Sequence, residues 1–406
     1  MRCTLCGYAE PPNDNEYTCP KCGPLGIRDV EYDYDAIRRV LSREVLRRNR
    51  HYDLSRYRAL LPLEPDARTS PLSVGWTPVI EAPRLATELG VRQLWLKDDG
   101  RLPTASFKDR ASYVGTARAL AQGAKGIAAA STGNAATSLA GLAASLELAA
   151  FIFVPSTAPE AKIAQLLVYG AKVFPIEADY DRTYDLCQEA VARFGWYNRS
   201  AAVNPYLVEG KKTCGHEIAE QCIKELPDWI AMSVGDGCSI AATWKGLEEM
   251  RKIGVIDRVP RFLGVQAEGA APLVRAFALA TERIEPIEAH TLADSINVGN
   301  PRNPVKALRA VHASEGNFTT VTDEEILEWI PRLGRASGVF GEPTAVASLA
   351  GIHAARSRGI ISANETVLHV VSGNGLKDVR GALRAVEVPR PIEPAMSAVE
   401  AALRGR

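Results

Sequence analysis

From Trp76 onward, short apolar, β-type runs alternate with stretches of helical period. The runs fall at 93–97, 126–130, 149–154, 172–176, 229–233, 262–266 and 366–371, and helical periods at 109–121, 137–146, 159–169, 181–193 and 240–253 fall between them. A chain built this way buries its strands under helices, which predicts an α/β fold with open, mainly parallel sheets flanked by helices. No solenoid-length repeat and no low-complexity segment interrupts the pattern. In open α/β sheets ligands collect at the carboxyl ends of strands, so the strand-to-helix loops are where chemistry is to be sought.

Three such loops and one late strand end carry chemistry-bearing residues. Lys108 follows Thr104-Ala105-Ser106-Phe107 at the start of a helix. The macrodipole is positive there, which lowers the pKa of an amine and favours it as a nucleophile towards an aldehyde. Alone, the position also suits an exposed surface lysine. Ser131-Thr132-Gly133-Asn134 opens an alanine-rich helix and offers hydroxyls, an amide and free N–H groups to a carboxylate, or simply an N-cap. Gly235-Asp236-Gly237-Cys238-Ser239 lets backbone amides approach an anion, yet lacks the lysine spacing of a P-loop and also reads as a tight turn. Ser372 ends an apolar strand and puts a hydroxyl where a ring nitrogen could meet it.

Ahead of the alternating region, Cys3-x-x-Cys6 and Cys19-x-x-Cys22 are separated by twelve residues, and each pair is followed by glycine (Gly7, Gly23). Paired knuckles of this spacing read as a Cys₄ zinc-ribbon-like site, structural because a full thiolate shell leaves no open position. Four unrelated reduced thiols are the alternative. Residues 35–49 read as one amphipathic helix with an arginine-rich face, an arm expected to pack on a partner subunit and so to make a homodimer.

Lys+Arg and Asp+Glu are both 48, so the net charge is zero and no electrostatic footprint for nucleic acid or an anionic membrane exists. No apolar run approaches the ~20 residues of a membrane span, and the N-terminus lacks a signal peptide's apolar core. A small-molecule substrate, no membrane and a cytoplasmic location are the expectations.

In this order and spacing the loops resemble threonine synthase and its relatives in fold type II of the pyridoxal-phosphate enzymes. The resemblance runs over about 75–385 and includes Asn204-Pro205 with Glu209-Gly210-Lys211-Lys212-Thr213, 297–301, and Gly341-Glu342-Pro343-Thr344-Ala345. Paired-cysteine N-termini occur in that family too. The resemblance implies pyridoxal 5′-phosphate on Lys108 as a Schiff base, with Lys108 also shuttling protons. It implies Asn134 at the cofactor's 3′-oxygen, Gly235, Asp236, Gly237, Cys238 and Ser239 at its phosphate, and Ser372 at its ring nitrogen. Ser131, Thr132, Gly133 and Asn134 would hold the substrate carboxylate. A neutral hydroxyl at the ring nitrogen tempers the ring as an electron sink and favours elimination and replacement over transamination.

The implied division is a knuckle at 1–30, a helical arm at 31–75, a large cofactor-binding lobe at 76–110 and 205–390, a small lobe at 111–204, and a tail at 391–406. Two departures stand out. Where the family carries an Asn-Ser pair and an Arg for the substrate's phosphate, this chain has Ala201, Ala202 and Leu207; Arg199 or Arg182 are the candidates to compensate. In the phosphate loop, the Asp236 carboxylate is expected to turn away from an anion and Cys238 to act as a small filler. Conversion of O-phosphohomoserine to threonine and phosphate is the first expectation. A threonine/serine ammonia-lyase, or a β-replacing synthase acting on an unphosphorylated amino acid, is the second. A non-catalytic binding protein and a zinc-ribbon nucleic-acid module are opposed by the intact Lys108 and by the neutral charge.

Overall fold

A computed structural model describes residues 1–12, 17–131, 133–156, 160–178 and 180–404. Its described strands, in chain order, are β1 (Arg2–Cys3), β2 (Thr18–Cys19), β3 (Gly23–Asp29), β4 (Val79–Glu81), β5 (Gln93–Asp98), β6 (Ile127–Ala130), β7 (Ala150–Pro155), β8 (Lys172–Ile176), β9 (Tyr197–Asn198), β10 (Trp229–Ser233), β11 (Arg261–Ala267), β12 (Asn317–Val321) and β13 (Thr366–Val371). They form three sheets. The largest runs β12-β11-β10-β13-β5-β4, parallel except for the β4 edge. A four-stranded parallel sheet runs β8-β7-β6-β9. A small antiparallel sheet, β1-β3-β2, carries the cysteines.

β13 shows why the apolar runs become strands of a covered sheet. All six of its residues are buried, as a central strand with helices on both faces requires. Even His369 within it is neutral, pushed down to about 3 by burial, with its Nδ1 3.2 Å from the Ser348 hydroxyl. All seven anticipated runs are strands. β1, β2, β3, β4, β9 and β12 were not anticipated: four have two or three residues, β3 lies in the cysteine knuckle, and β12 buries adjacent Phe318 and Thr319 rather than alternating.

The arm corrects the sequence reading of a single helix. It is two helices, Tyr34–Val40 and Arg43–Arg48, because Leu41 is extended (φ −131°, ψ 102°) and the Ser42 side chain captures the Val45 amide at 3.3 Å. Its apolar side chains Ile37, Leu41 and Leu46 join Ile218, Met250 and Ile253 in a core cluster of the same chain. Arg38 and Arg43 donate to the carbonyls of Lys252 and Val255. The arm therefore buries these three side chains within its own chain, while Val40 and Val45 stay exposed. No described helix is long and apolar enough to cross a membrane.

Candidate active site

The loop leaving β5 holds Lys108 through its neighbours. Asp109 reaches back to the Thr104 amide at 2.7 Å and to the Thr104 hydroxyl. Arg110 is fully buried, with Nε 2.6 Å from Asp99 Oδ2 and Nη1 2.5 Å from Glu217 Oε1; Lys97 joins the same Glu217 at 2.6 Å. The loop is also stitched to the end of β13, where the Phe107 amide donates to the Ser372 carbonyl at 2.9 Å and the Asn374 amide to Ala105 at 3.0 Å. Lys108, at the first turn of the Lys108–Ala121 helix, is thereby held in the wall of a cavity of about 840 Å³.

Its amine is pushed down to about 8. Burial is the largest cause, then repulsion from Lys211 and Arg199, while Glu342 opposes them. The direction matches expectation, but the cause is desolvation and neighbouring cations rather than the helix end alone.

Lys108, Ser131, Gly133, Asn134, Gly235, Asp236, Gly237, Cys238, Ser239 and Ser372 all line this one cavity; Thr132 lies outside the described residues. Among the helices that begin on it, Asn134–Ala144 and Cys238–Lys252 have no side-chain cap, so their first amides are open to an external acceptor. Gly237 makes the second of these possible. Its φ is +87°, and a Cβ there would fall 2.7 Å from the Asn303 carbonyl. The Asp236 carboxylate accepts from the Arg302 amide at 3.1 Å, and the Cys238 thiol, pushed up by burial, donates to the Ala201 carbonyl at 3.5 Å.

Glu342 and Lys211 carried no role in the sequence reading. Glu342 accepts from the Asn134 amide at 2.8 Å and is pushed up to about 7, chiefly by burial. Its sequence signals are its place before Pro343 at a helix start and its membership of the 341–345 segment that resembles the family. Lys211 and Arg199 line the cavity, whereas Arg182 is exposed and does not. Ala201 and Ala202 form part of the wall. Leu207 does not: it is fully buried, and its Cδ2 lies 2.5 Å from where a Cβ on Gly115 would stand.

Away from the cavity, the Sγ atoms of Cys3, Cys6, Cys19 and Cys22 all lie within 4.8 Å of one another, and those of Cys6 and Cys19 are 3.7 Å apart.

The cavity's donors fit a phosphorylated pyridine aldehyde. A partly buried amine of lowered pKa, an uncapped helix start on a glycine loop, a buried amide on Asn134 and a neutral hydroxyl on Ser372 match aldehyde, phosphate, ring oxygen and ring nitrogen. Residues 71–373 match the family model described as "Pyridoxal-phosphate dependent enzyme". A threonine synthase of Methanocaldococcus jannaschii is 36% identical over 406 residues, covering 100% of this chain and 99% of that one. One from Mycobacterium leprae is 37% identical over 341 residues, covering 84% and 92%. The fold is similar to that of threonine deaminase isoform 2 of Solanum lycopersicum, with a TM-score of 0.66 at 22% identity over 76% of this chain and 83% of that one. Amine, phosphate loop and family model cover the same stretch, and the chain belongs to the pyridoxal-phosphate dependent enzymes.

Proposed function

We propose that the chain is a threonine synthase, a lyase that converts O-phosphohomoserine to threonine and phosphate. The observation carrying this is similarity at 36% over the whole chain to relatives of that name. When bound, pyridoxal phosphate supplies the electron sink that acidifies a substrate's carbon–hydrogen bonds.

The residues divide the remaining work. Lys108 Nζ would hold the cofactor aldehyde and, as a free amine, would take and return the substrate's protons; an amine lowered to about 8 has a usable neutral fraction near neutral pH. Amides of Gly235 to Ser239 hold the cofactor phosphate, Asn134 its 3′-oxygen and Ser372 its ring nitrogen. Ser131, Thr132, Gly133 and Asn134 take the substrate carboxylate. Glu342 acts through Asn134, orienting its amide. The large sheet with its helices then serves as the cofactor lobe and residues 111–204 as the small lobe.

A second reading, a threonine/serine ammonia-lyase or β-replacing synthase, is favoured by the methyl groups of Ala201 and Ala202 on the cavity wall. Incubation of the purified enzyme with O-phosphohomoserine separates the two. Equimolar phosphate and threonine are expected; keto acid from threonine or serine, with no phosphate release, overturns the first reading.

The four N-terminal cysteines are proposed to hold one structural zinc. Support comes from their geometry, since thiolates on a ~2.3 Å shell stand about 3.8 Å apart in a tetrahedron, close to the Cys6–Cys19 separation. Mass spectrometry of the metal content should find one zinc per chain in the native protein and none in Cys19→Ser. The variant should also become cleavable within residues 1–30 by a protease that leaves the native protein whole. Equal metal content in both proteins would refute the site.

A further inference from the structure

Among the described residues, four cationic side chains line the cavity: Arg302 is only half-buried and lies over the Tyr184 ring, and of the other three, Lys108, Arg199 and Lys211, the mechanism above uses only the first. Arg199 and Lys211 are each only 4% exposed. Lys211 has no hydrogen bond or ion pair among the described residues. Arg199 donates to neutral acceptors alone, the Ser112 hydroxyl at 3.1 Å and the Lys108 carbonyl at 3.4 Å.

The nearby carboxylates are engaged elsewhere. Asp109 is held by Thr104, Asp236 by the Arg302 amide and Glu342 by Asn134. Burial pushes Lys211 down and Arg199 down to about 10, so desolvation in the cavity wall disfavours both charges. Buried cations without counter-ions are costly and persist where a ligand supplies the charge.

Other anions that enter this cavity already have places. The uncapped start of the Cys238–Lys252 helix suits the cofactor phosphate, and that of Asn134–Ala144 suits a substrate carboxylate. What remains is a third anionic group, on the distal end of the substrate. Close packing of the backbone brings Lys211 to the cavity. Gly210 lets the Pro205–Lys211 helix approach so near that a Cβ there would stand 2.0 Å from the Arg110 carbonyl. Leu207, one turn earlier on this helix, is directed into the core, so Lys211 is the residue of that face that reaches the cavity. The Cys238–Ala201 contact sets the apolar wall of Ala201 and Ala202 beside the same corner.

We propose that Arg199 and Lys211 form the subsite for the substrate's phosphate ester, so that the enzyme selects an ω-phosphorylated amino acid over the free hydroxy amino acid. This rests on the threonine synthase reading and names the residues that give it its specificity.

The test uses the cofactor-loaded enzyme and the variants Lys211→Gln, Lys211→Arg and Arg199→Gln. Neither glutamine variant breaks an ion pair, so both should fold. Lys211→Gln is expected to lower kcat/KM for O-phosphohomoserine about 10–100-fold, the worth of a charge-assisted hydrogen bond. Competitive inhibition by inorganic phosphate should weaken by a similar factor, Lys211→Arg should retain most of both, and cofactor content should not change. Unaltered kcat/KM and phosphate inhibition in Lys211→Gln and Arg199→Gln would overturn the proposal. So would loss of cofactor on gel filtration of Lys211→Gln, which would assign that lysine to the cofactor's phosphate. If the native enzyme releases no phosphate from O-phosphohomoserine, the activity reading has failed, and calorimetry of inorganic phosphate binding to native and variant proteins still decides the subsite. Weaker binding in the variants supports it and equal binding refutes it.

Discussion

Lys108→Ala is expected to lower kcat on O-phosphohomoserine by about 10⁴-fold or more, because one amine both binds the cofactor and moves the substrate's protons. General acid–base catalysis alone contributes roughly 10²–10⁴-fold, and loss of the covalent attachment adds to it. The native enzyme should show an absorbance band that borohydride bleaches, and the variant should lack it. Folding should be little affected, since the Lys108 side chain makes no ion pair among the described residues and the loop is held by Asp109, Arg110 and the Phe107–Ser372 bond. Turnover within tenfold of native would move the chemistry to the cavity's other buried amine, Lys211.

The second large effect is on stability. Glu217→Gln should destabilise the fold by about 3–5 kcal/mol, the usual cost of removing one partner from a buried ion cluster. Arg110 would then keep Asp99, Lys97 would be left with the neutral oxygens of Thr77 and Gln221, and all four charged side chains are fully buried. A change below about 1 kcal/mol in urea titrations would show that the cluster is relaxed by water. The cluster also predicts a pH signature. Despite burial, Arg110 and Lys97 hold the Glu217 carboxyl down to about 2 from an ordinary 4.5. A depressed native pKa means the unfolded chain binds the proton first as pH falls. The stabilisation is therefore complete above about 4.5 and lost as pH drops towards 2. The native protein should show this loss and the glutamine variant should not. Because Arg110 is two residues from Lys108, the variant's kcat should fall as well.

The alternation of runs and helical periods was enough to find seven strands of the two larger sheets, because a covered parallel sheet needs apolar residues on both faces. The strands it missed are short, lie at an edge as β12 does, or belong to the cysteine knuckle as the seven-residue β3 does, where pairing with a neighbour, not composition, makes the strand. The arm was misread for a related reason. A helical period continues through 41–42, but Ser42 offers a better acceptor to the Val45 amide than another helical turn would. The loop residues of the site were legible because each sits where a strand hands over to a helix, and that junction is local.

What local order could not reveal was which distant side chains share a low-dielectric space. Glu342 meets Asn134 across 208 positions and Arg110 meets Glu217 across 107. Ala201, Ala202 and Leu207 formed one apolar substitution in the sequence, yet only the two alanines face the cavity, while Lys211, in a familiar segment, carries an unpaired charge into it. By itself, then, the sequence determined the elements, the loops and the cofactor chemistry, since these follow from residues close along the chain. Only the tertiary structure decided the cavity's charge, because burial and pairing depend on groups that folding brings together from far apart.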